Sequence, residues 1–331
     1  MLKFMTGIQS NGIPHIGNII NIILPTISYI NNNNNKNIFF FIMIADLHSL
    51  TNYSYPVILK KNIYINAAVW LSFNIKYNYK NVYFYRQSDI KEINELFWYL
   101  NCFYPFNRLK LSHCIKKNNT TNKTYNTGIM NYPILMASDI LLYDIDKVII
   151  GIDQKQHIEI TRKIANIINK KINKNIFNIP KSLIIKKKII PGIDGVKMSK
   201  SLNNIINIFE NKDILEKQVM SIKTTNKSIY NISYKEIKNT VLLKIYKLIT
   251  NKDEYKYIIE KIKNFNIGFY NIKKKLFNYI LYRFSKERKK FIYYLNKKKL
   301  IKKILLKGFV KSKVYANKKI NFIKKEIGLK I

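Results

Sequence analysis

The chain has 331 residues, of which 47% are hydrophobic, so it is long enough to form about two domains with buried cores. Its formal net charge of +40 permits a polyanionic partner, but only five of the 59 basic residues are arginine, and the excess of Lys, Asn and Ile is typical of an A+T-rich coding sequence. Cys102 and Cys114 do not have the spacing of a metal site or a disulfide framework, and the longest apolar run, 38–45, is far shorter than the ~20 residues of a membrane span. The composition therefore excludes secreted disulfide scaffolds and membrane spans, and we expect a soluble intracellular protein without a signal peptide.

Apolar runs and polar stretches alternate along the first two thirds of the chain. Four apolar runs of strand length are each followed by glycine or polar residues, and they lie at 2–8, 38–45, within 81–89 and within 146–154. Segments of helical length lie between them, at 15–30, 91–100 and 132–144. The run at 38–45 is apolar at every position, which is typical of a parallel strand covered on both faces.

This alternation predicts an α/β fold with a doubly wound parallel sheet. From about residue 206 onward the strand-like alternation disappears, and apolar residues recur at helical spacing with lysines between them. We therefore predict two domains, a sheet domain at 1–205 and an all-helical domain at 206–331.

Polar residues follow three of the predicted strands. Because ligands of open α/β sheets bind beyond the carboxyl ends of the strands, we expect these side chains to form one site. They are Gln9, Ser10, Asn11 and His15 after the first strand, Asp46 and His48 after the second, and Gly151, Asp153 and Gln154 after the last.

The segment TGIQSNGIPHIGN at 6–18 places three glycines between a strand and a helix. Such a turn lets backbone N–H groups approach a phosphate at the start of a helix. Gly17 leaves room for a purine against that helix, and His15 and Asn18 can donate hydrogen bonds to phosphate oxygens. An ordinary tight turn is the alternative explanation of the glycines alone.

A second glycine-containing loop carries two lysines, Lys197 and Lys200, in the sequence KMSKS. Two ammonium groups on a flexible loop can approach a triphosphate, neutralise charge that develops on a leaving group, and then withdraw. In a chain so rich in lysine, a solvated basic loop is the alternative when this segment is considered alone.

Together the two motifs resemble the signatures of class I aminoacyl-tRNA synthetases. TGIQSNGIPHIGN resembles the first signature in the His-x-Gly-Asn form of the tryptophanyl-tRNA synthetase family, and KMSKS at 197–201 matches the second signature letter for letter. Three intervening segments, IADLHSLT at 44–51, YPILMASDILLYD at 132–144 and GIDQKQHIEITRKIA at 151–165, resemble the same family in the same order. The resemblance covers nearly the whole chain.

The resemblance implies a Rossmann-like catalytic domain that ends in the KMSKS loop, followed by a helical domain that binds the tRNA anticodon and supports a homodimer. It implies that ATP, with Mg²⁺, and L-tryptophan are converted to tryptophanyl-adenylate and pyrophosphate, and that tryptophan is then transferred to tRNA(Trp). It implies a cytoplasmic enzyme without a protein-bound metal.

The resemblance also implies the residues of the site. The catalytic residues it implies are His15, Asn18, Lys197 and Lys200. The ATP-binding residues it implies are Gln9, Ser10, Asn11, Gly17, Asn18, Gly151, Ile152, Asp153, Ile189, Lys197, Met198, Ser199, Lys200, Ser201 and Lys117, with Lys116 as an alternative to Lys117. The tryptophan-binding residues it implies are Asp139, Gln9, Gly7, His48, Tyr132, Met136 and Gln154.

Asp139 is the residue that we expect to determine specificity. It lies within the apolar helix ILMASDILL, where an unpaired carboxylate is costly, and an indole offers one donor, its ring N–H. A carboxylate at the base of an apolar pocket accepts that hydrogen bond and rejects phenylalanine. For four other residues an ordinary structural role is the alternative: helix capping for Asp153, a hydrogen-bonded structural histidine for His48, and core packing for Met136 and Ile140.

Five positions depart from the family pattern, namely Ser10, Asn11, Ile19, Lys163 and Leu202, and they bear on catalytic efficiency. Two other functions remain open on the sequence alone. A tyrosyl-tRNA synthetase shares the fold and both signatures, and Asp139 can accept a phenol O–H as well as an indole N–H. A degenerate, non-catalytic RNA-binding relative is the second, but the chain retains both His15 and KMSKS.

Overall fold

The computed structural model describes residues 1–33, 37–51, 55–110, 126–184, 190–225, 233–264 and 267–330. The chain packs into two compact units: unit one comprises 1–12, 21–187 and 294–331, and unit two comprises 13–20 and 188–293. This division differs from the predicted domains 1–205 and 206–331 in two segments. Residues 294–331 pack with the sheet in unit one, and residues 13–20 pack with the KMSKS region in unit two.

A five-stranded parallel sheet forms the centre of unit one, in the order β3-β2-β1-β4-β5. Its strands are β1 (Leu2–Gln9), β2 (Ile38–Ala45), β3 (Val82–Arg86), β4 (Lys147–Ile149) and β5 (Lys181–Leu183). This order confirms the predicted doubly wound α/β fold. The strand β5 was not predicted, because its three residues KSL carry no apolar run, and it is recognised only by its pairing with β4.

The helices of unit one cover the sheet. They are α2 (Leu24–Asn32), α3 (Asp46–Ser49), α4 (Pro56–Ser72), α5 (Lys91–Phe103), α6 (Phe106–Lys110), α7 (Thr127–Leu141), α8 (Lys155–Ile172) and α15 (Lys298–Glu326). The central strands are buried as their apolar sequences predict, and the ring of Phe41 stacks on that of Tyr83 with centroids 4.5 Å apart.

The long C-terminal helix α15 packs directly against β3. Gly308, Ser312 and Ala316 follow one another at four-residue spacing and are fully buried. A Cβ atom at position 308 would lie 1.8 Å from the carbonyl oxygen of Phe84, so only glycine permits this approach. Lys311 Nζ donates to the carbonyls of Tyr79 and Val82, at 2.8 Å each. These contacts explain why residues 294–331 belong to unit one.

Unit two is helical around the KMSKS loop, and its described elements after residue 206 are all helices, as predicted. It contains α1 (Ile16–Asn18), α9 (Lys212–Met220), α10 (Tyr234–Asn239), α11 (Val241–Ile249), α12 (Lys252–Lys263), α13 (Phe269–Arg283) and most of α14 (Ser285–Asn296). Phe209 and Phe291 pack with ring centroids 4.5 Å apart in its core. Within the described ranges, no helix has the length and apolar character that crossing a bilayer requires.

Candidate active site

The carboxyl ends of β1, β2, β3 and β4 meet at one edge of the sheet in unit one. Gln9 is the last residue of β1, Asp46 follows β2, Gln87 follows β3, and Gly151 lies two residues after β4. Parallel strands bring these ends together, so the sheet itself gathers polar groups that are distant in sequence. This edge is the position at which the sequence predicts a ligand site.

A buried carboxylate lies at the centre of this edge. Asp139, on α7, is completely buried, and its Oδ2 lies 3.0 Å from Nε2 of His48. Gln87 Nε2 donates to both carboxylate oxygens, at 2.9 Å each. Burial raises the pKa of Asp139, while the hydrogen bonds from His48 and Gln87 act in the opposite direction and favour the charged form. An unpaired carboxylate would be costly inside this apolar helix, and His48 and Gln87 are its partners in the protein.

Aromatic and imidazole rings pack beside this carboxylate. The Tyr132 ring centroid lies 4.3 Å from that of His48 and 5.2 Å from that of His157. The Tyr132 hydroxyl accepts a hydrogen bond of 3.0 Å from Nε2 of Gln9, whose Oε1 accepts from Asn11 Nδ2 at 2.9 Å. Burial lowers the pKa of His157 to about 4, so its imidazole is neutral at neutral pH. The structure thus brings together Gln9, His48, Tyr132 and Asp139, four of the predicted amino-acid-binding residues.

The other predicted amino-acid-binding residues of unit one have different surroundings. Gly7 pairs with Met43 across the sheet, and a Cβ at Gly7 would lie 2.8 Å from the Met43 side chain. Met136 is partly buried and packs against the apolar core, whereas Ile140 is buried within it. Core packing thus accounts for the surroundings of Met136 and Ile140. Contact between Met136 and the amino-acid substrate stays a prediction.

The segment after β4 forms a short 3₁₀ turn, Ile152–Gln154, at the start of α8. Asp153 is exposed, and its Oδ2 accepts a 3.2 Å hydrogen bond from the side chain of Gln154. A Cβ at Gly151 would lie 2.7 Å from Asp153 Oδ1, so the glycine lets the carboxylate fold back over the turn. Gln154, not Asp153, occupies the N-cap position of α8, and its side chain makes no capping bond.

The two signature motifs meet in unit two. Ile16 N donates to the carbonyl of Ile206 at 2.9 Å, which ties α1 to the segment that follows KMSKS. A Cβ at Gly17 would lie 2.8 Å from the His15 ring and 3.6 Å from the sulfur of Met198. Asn18 Oδ1 accepts from the backbone N–H of His15 at 3.2 Å, which leaves its Nδ2 group to act as a donor. His15 and KMSKS are therefore neighbours although 182 residues separate His15 from Lys197.

The lysines of the loop act electrostatically on His15. Burial, and then the charges of Lys200 and Lys197, lower the pKa of His15 to about 4. Burial also lowers the pKa of Lys200 to about 8. Because the charges of Lys197 and Lys200 both act at this position, a bound anion would be favourable there. The imidazole of His15 is neutral at neutral pH and can donate from one ring nitrogen.

A buried asparagine holds the KMSKS loop in its shape. Asn204, 2% exposed, accepts from the N–H of Ser199 at 2.8 Å and donates to the carbonyl of Lys197 at 3.2 Å. Its Nδ2 also lies 2.9 and 3.1 Å from the two carboxylate oxygens of Asp194. An antiparallel bridge between Pro191 and Lys197 closes the base of the turn. The loop is thus a hydrogen-bonded hairpin.

The remaining predicted residues divide by position. The backbone N–H of Ser10 donates to the Ser49 hydroxyl at 2.7 Å, and the hydroxyls of Ser199 and Ser201 lie 2.8 Å apart. Ile152 is exposed on its turn. Ile189, Lys117 and the alternative Lys116 lie outside the described residues, and their contacts with ATP stay predictions.

Sequence reasoning did not single out Gln87, Asn204 or Asp194. Gln87 directly follows a predicted strand, as Gln9 and Asp153 do, so the same rule could have identified it as a candidate site residue. Asn204 and Asp194 flank KMSKS in a polar loop and carry no periodic signal. Within the part of the chain that the structure describes, no three His, Cys, Asp or Glu residues are grouped as metal ligands would be.

Comparison with known proteins agrees with this geometry. Residues 1–285 match the family model of class I tRNA synthetases for W and Y. The tryptophan–tRNA ligase of Fusobacterium nucleatum is 36% identical over 332 residues, covering 99% of this chain and 98% of that protein. The crystal structure of tryptophanyl-tRNA synthetase from Campylobacter jejuni complexed with ADP and tryptophan superimposes with a TM-score of 0.89 at 32% identity, covering 99% of this chain and all of that one. Tyrosyl-tRNA synthetase from Archaeoglobus fulgidus, 17% identical with a TM-score of 0.62, shares the fold.

Proposed function

The chain belongs to the class I tRNA synthetases for tryptophan and tyrosine, and we propose that it is a tryptophan–tRNA ligase. The observation that carries this proposal is the meeting of the His15 segment with the KMSKS loop in unit two: Ile16 N donates to the carbonyl of Ile206, and the Cβ position of Gly17 lies 3.6 Å from the sulfur of Met198. A phosphate-binding turn and a cationic loop at one place are the parts that adenylate formation requires. Similarity over the full chain to tryptophan–tRNA ligases indicates the amino acid.

The proposed reaction has two steps. An oxygen of the tryptophan carboxylate attacks the α-phosphorus of MgATP, the bond from that phosphorus to the bridging oxygen of the β-phosphate breaks, and pyrophosphate leaves with that oxygen. The 2′-hydroxyl of the terminal adenosine of tRNA then attacks the activated carbonyl, loses its proton, and displaces AMP. Magnesium enters with ATP as part of the substrate, bound to phosphate oxygens.

His15, Asn18 and the loop lysines are assigned to the phosphates. The side chains of His15 and Asn18 are assigned to donate to phosphate oxygens at the start of α1. Lys197 and Lys200 neutralise the charge that develops on the leaving pyrophosphate. Met198, Ser199 and Ser201 complete the loop, and Gly17 leaves the space that the adenine needs.

Residues of unit one are assigned to the ribose and to the amino acid. Asp153 accepts hydrogen bonds from ribose hydroxyls, with Gly151 and Ile152 allowing backbone approach, and Ser10 and Asn11 support the nucleotide. Asp139 accepts the indole N–H. Gln9, Tyr132 and Gln154 contact the amino-acid end, whereas Gly7, His48 and Met136 surround the side chain. The 3.0 Å bonds that join Gln9 to Tyr132 and Asp139 to His48 support this grouping.

The macromolecular partners that we propose are tRNA(Trp) and a second copy of the chain. Many of the 54 lysines of the chain lie on helices of unit two, where their positive charges can bind the phosphate backbone of tRNA. We therefore expect tRNA binding to weaken steeply as the salt concentration rises. For the homodimer, the support is exposed aromatic surface on unit one, where Trp98 is 66% and Phe106 52% exposed. We assign the enzyme to the cytoplasm, where charged tRNA is used in translation.

Amino-acid-dependent ATP–pyrophosphate exchange tests the proposal. With tryptophan, tyrosine and phenylalanine supplied separately, we expect rapid exchange with tryptophan alone. Activation of tyrosine instead of tryptophan would identify a tyrosyl-tRNA synthetase. Tight tRNA binding without exchange for any amino acid would identify a non-catalytic RNA-binding relative.

A further inference from the structure

Gln87 has a buried side chain at the sheet edge whose oxygen and nitrogen are both hydrogen-bonded, and the proposed reaction gives it no role. It follows β3 directly and is completely buried. Its Oε1 accepts from the backbone N–H groups of Leu47 and His48, at 3.1 and 3.4 Å, while its Nε2 donates to both oxygens of Asp139 at 2.9 Å. One amide therefore joins the ends of two strands to the last turn of α7.

The chemistry of these partners fixes the orientation of the amide. Two backbone N–H groups face one end of Gln87, so that end must be the carbonyl oxygen, because an NH₂ group there would place donors against donors. The NH₂ group must then face Asp139, which accepts. An oriented donor that contacts both oxygens restricts rotation of the carboxylate about its terminal bond and favours its ionised form.

The two oxygens of Asp139 are not used equally. Oδ2 receives both His48 Nε2 and Gln87 Nε2, whereas Oδ1 receives Gln87 Nε2 alone among the described residues. A carboxylate oxygen accepts about two hydrogen bonds, so Oδ1 retains capacity for one more donor. The adjacent His48 Nδ1 is buried and has no hydrogen-bond partner in the described part of the chain. Both atoms mark the place where a ligand donor or acceptor completes the network.

We propose that Gln87 is a positioning residue for amino-acid selection: its amide fixes the Asp139 carboxylate with Oδ1 presented to the ring donor of the substrate. This inference rests on the proposed function, because it assigns the ring donor to tryptophan. Gln87 does not touch the substrate; it acts through Asp139 and through the α3 turn that carries His48.

Two substitutions of Gln87 distinguish its two roles, which are to position the Asp139 carboxylate and to support the α3 turn. Gln87→Met has similar length and removes both hydrogen-bonding groups. Gln87→Glu keeps an oxygen for the N–H groups of Leu47 and His48 but places a second carboxyl group against Asp139. Two carboxyl groups at hydrogen-bonding distance share one proton, so the Glu variant regains a donor only at lower pH.

We expect Gln87→Met to lower the ratio of the tryptophan to the phenylalanine kcat/KM by about 10- to 100-fold, the value of one charge-assisted hydrogen bond. We expect Gln87→Glu to lose activity with tryptophan progressively as pH rises from 6 to 8, relative to the wild type. A residue that only supports the α3 turn would not produce this pH dependence, because the Glu variant retains the oxygen that the turn uses.

Ser88→Ala is the matched control. Ser88 lies in the same turn, but its hydroxyl donates to Asp46 Oδ2 at 2.5 Å and not to Asp139, so its removal should leave the tryptophan-to-phenylalanine ratio unchanged. Thermal melting of each variant distinguishes loss of folding from loss of amino-acid discrimination. If Gln87→Met unfolds, the pH dependence of Gln87→Glu still tests the proposal.

The pyrophosphate-exchange assay with tryptophan and phenylalanine distinguishes the possible failures. A ratio that stays within threefold of wild type in both Gln87 variants, or that falls equally in Ser88→Ala, overturns the inference alone. A wild-type protein that does not exchange with tryptophan overturns the proposed function together with this inference.

Discussion

The surroundings of Asp139 in unit one differ from the KMSKS loop in unit two in burial: the carboxylate of Asp139 is enclosed by protein, whereas the loop presents an exposed lysine. Asp139 is completely buried and held by His48 and Gln87, so its position is fixed before any substrate arrives. Lys197 is exposed, although hydrogen bonds to Asn204 shape the loop that carries it. A group that distinguishes substrates must be rigid and desolvated, whereas a group that follows a leaving anion must reach it and then release it.

The largest effect in this comparison is expected for Asp139→Ala. Removing the carboxylate should lower discrimination between tryptophan and phenylalanine by at least ~100-fold, because the site loses the acceptor that we propose for the indole N–H. Exchange kinetics with both amino acids measure the ratio. Asp139→Asn, which keeps the shape and one acceptor, should have an intermediate effect. Unchanged discrimination in the alanine variant would place selection elsewhere.

Lys200→Ala tests the other region. It should reduce the kcat of adenylate formation by ~100-fold or more, the value of a charge-stabilising donor, while the Kd for tryptophan changes little. Single-turnover activation and equilibrium tryptophan binding give the two quantities. Lys217→Ala, an exposed lysine on α9, is the matched control and should leave both unchanged. Equal losses in binding and catalysis at Lys200 would contradict a role on the leaving group.

Asn204→Ala should show how far the shape of the loop matters. It removes the hydrogen bonds to Ser199, Lys197 and Asp194, so we expect kcat/KM for ATP to fall by about tenfold without a change in amino-acid selectivity. Asn203→Gly is the control, because Asn203 has a positive φ of 50° that glycine adopts without strain. An ATP kcat/KM equal to that of the wild type would show that the hairpin needs no such support.

The pH dependence of ATP use should give the smallest effect. The lowered pKa of Lys200, about 8, means that its ammonium is present below that pH and is lost above it. We therefore expect kcat/KM for ATP to fall about fourfold by pH 8.5, as the cation titrates in the free enzyme. Lys200→Arg, which remains charged throughout this range, should remove the decline. A decline that persists in the arginine variant belongs to another group.

The same contrast explains what the sequence could predict. Continuous apolar runs identified β1, β2, β3 and β4 because a buried parallel strand leaves that pattern, and polar residues at their ends located the sheet edge. The partners of Asp139 could not be predicted, because side-chain pairing depends on which strand lies beside which. Likewise, the lysine-rich pattern of α15 indicates a helix, but its place in unit one depends on contacts that the pattern does not show, such as those of Gly308 and Lys311.

The separation of amino-acid choice from leaving-group stabilisation is tested most directly by one ratio. In pyrophosphate exchange, the kcat/KM for tryptophan divided by that for phenylalanine is measured in the wild type, in Asp139→Ala and in Lys200→Ala. The predicted result is a ratio that collapses in Asp139→Ala but equals the wild-type ratio in Lys200→Ala, where both rates fall together. A Lys200→Ala ratio that falls as far as that of Asp139→Ala would contradict the account.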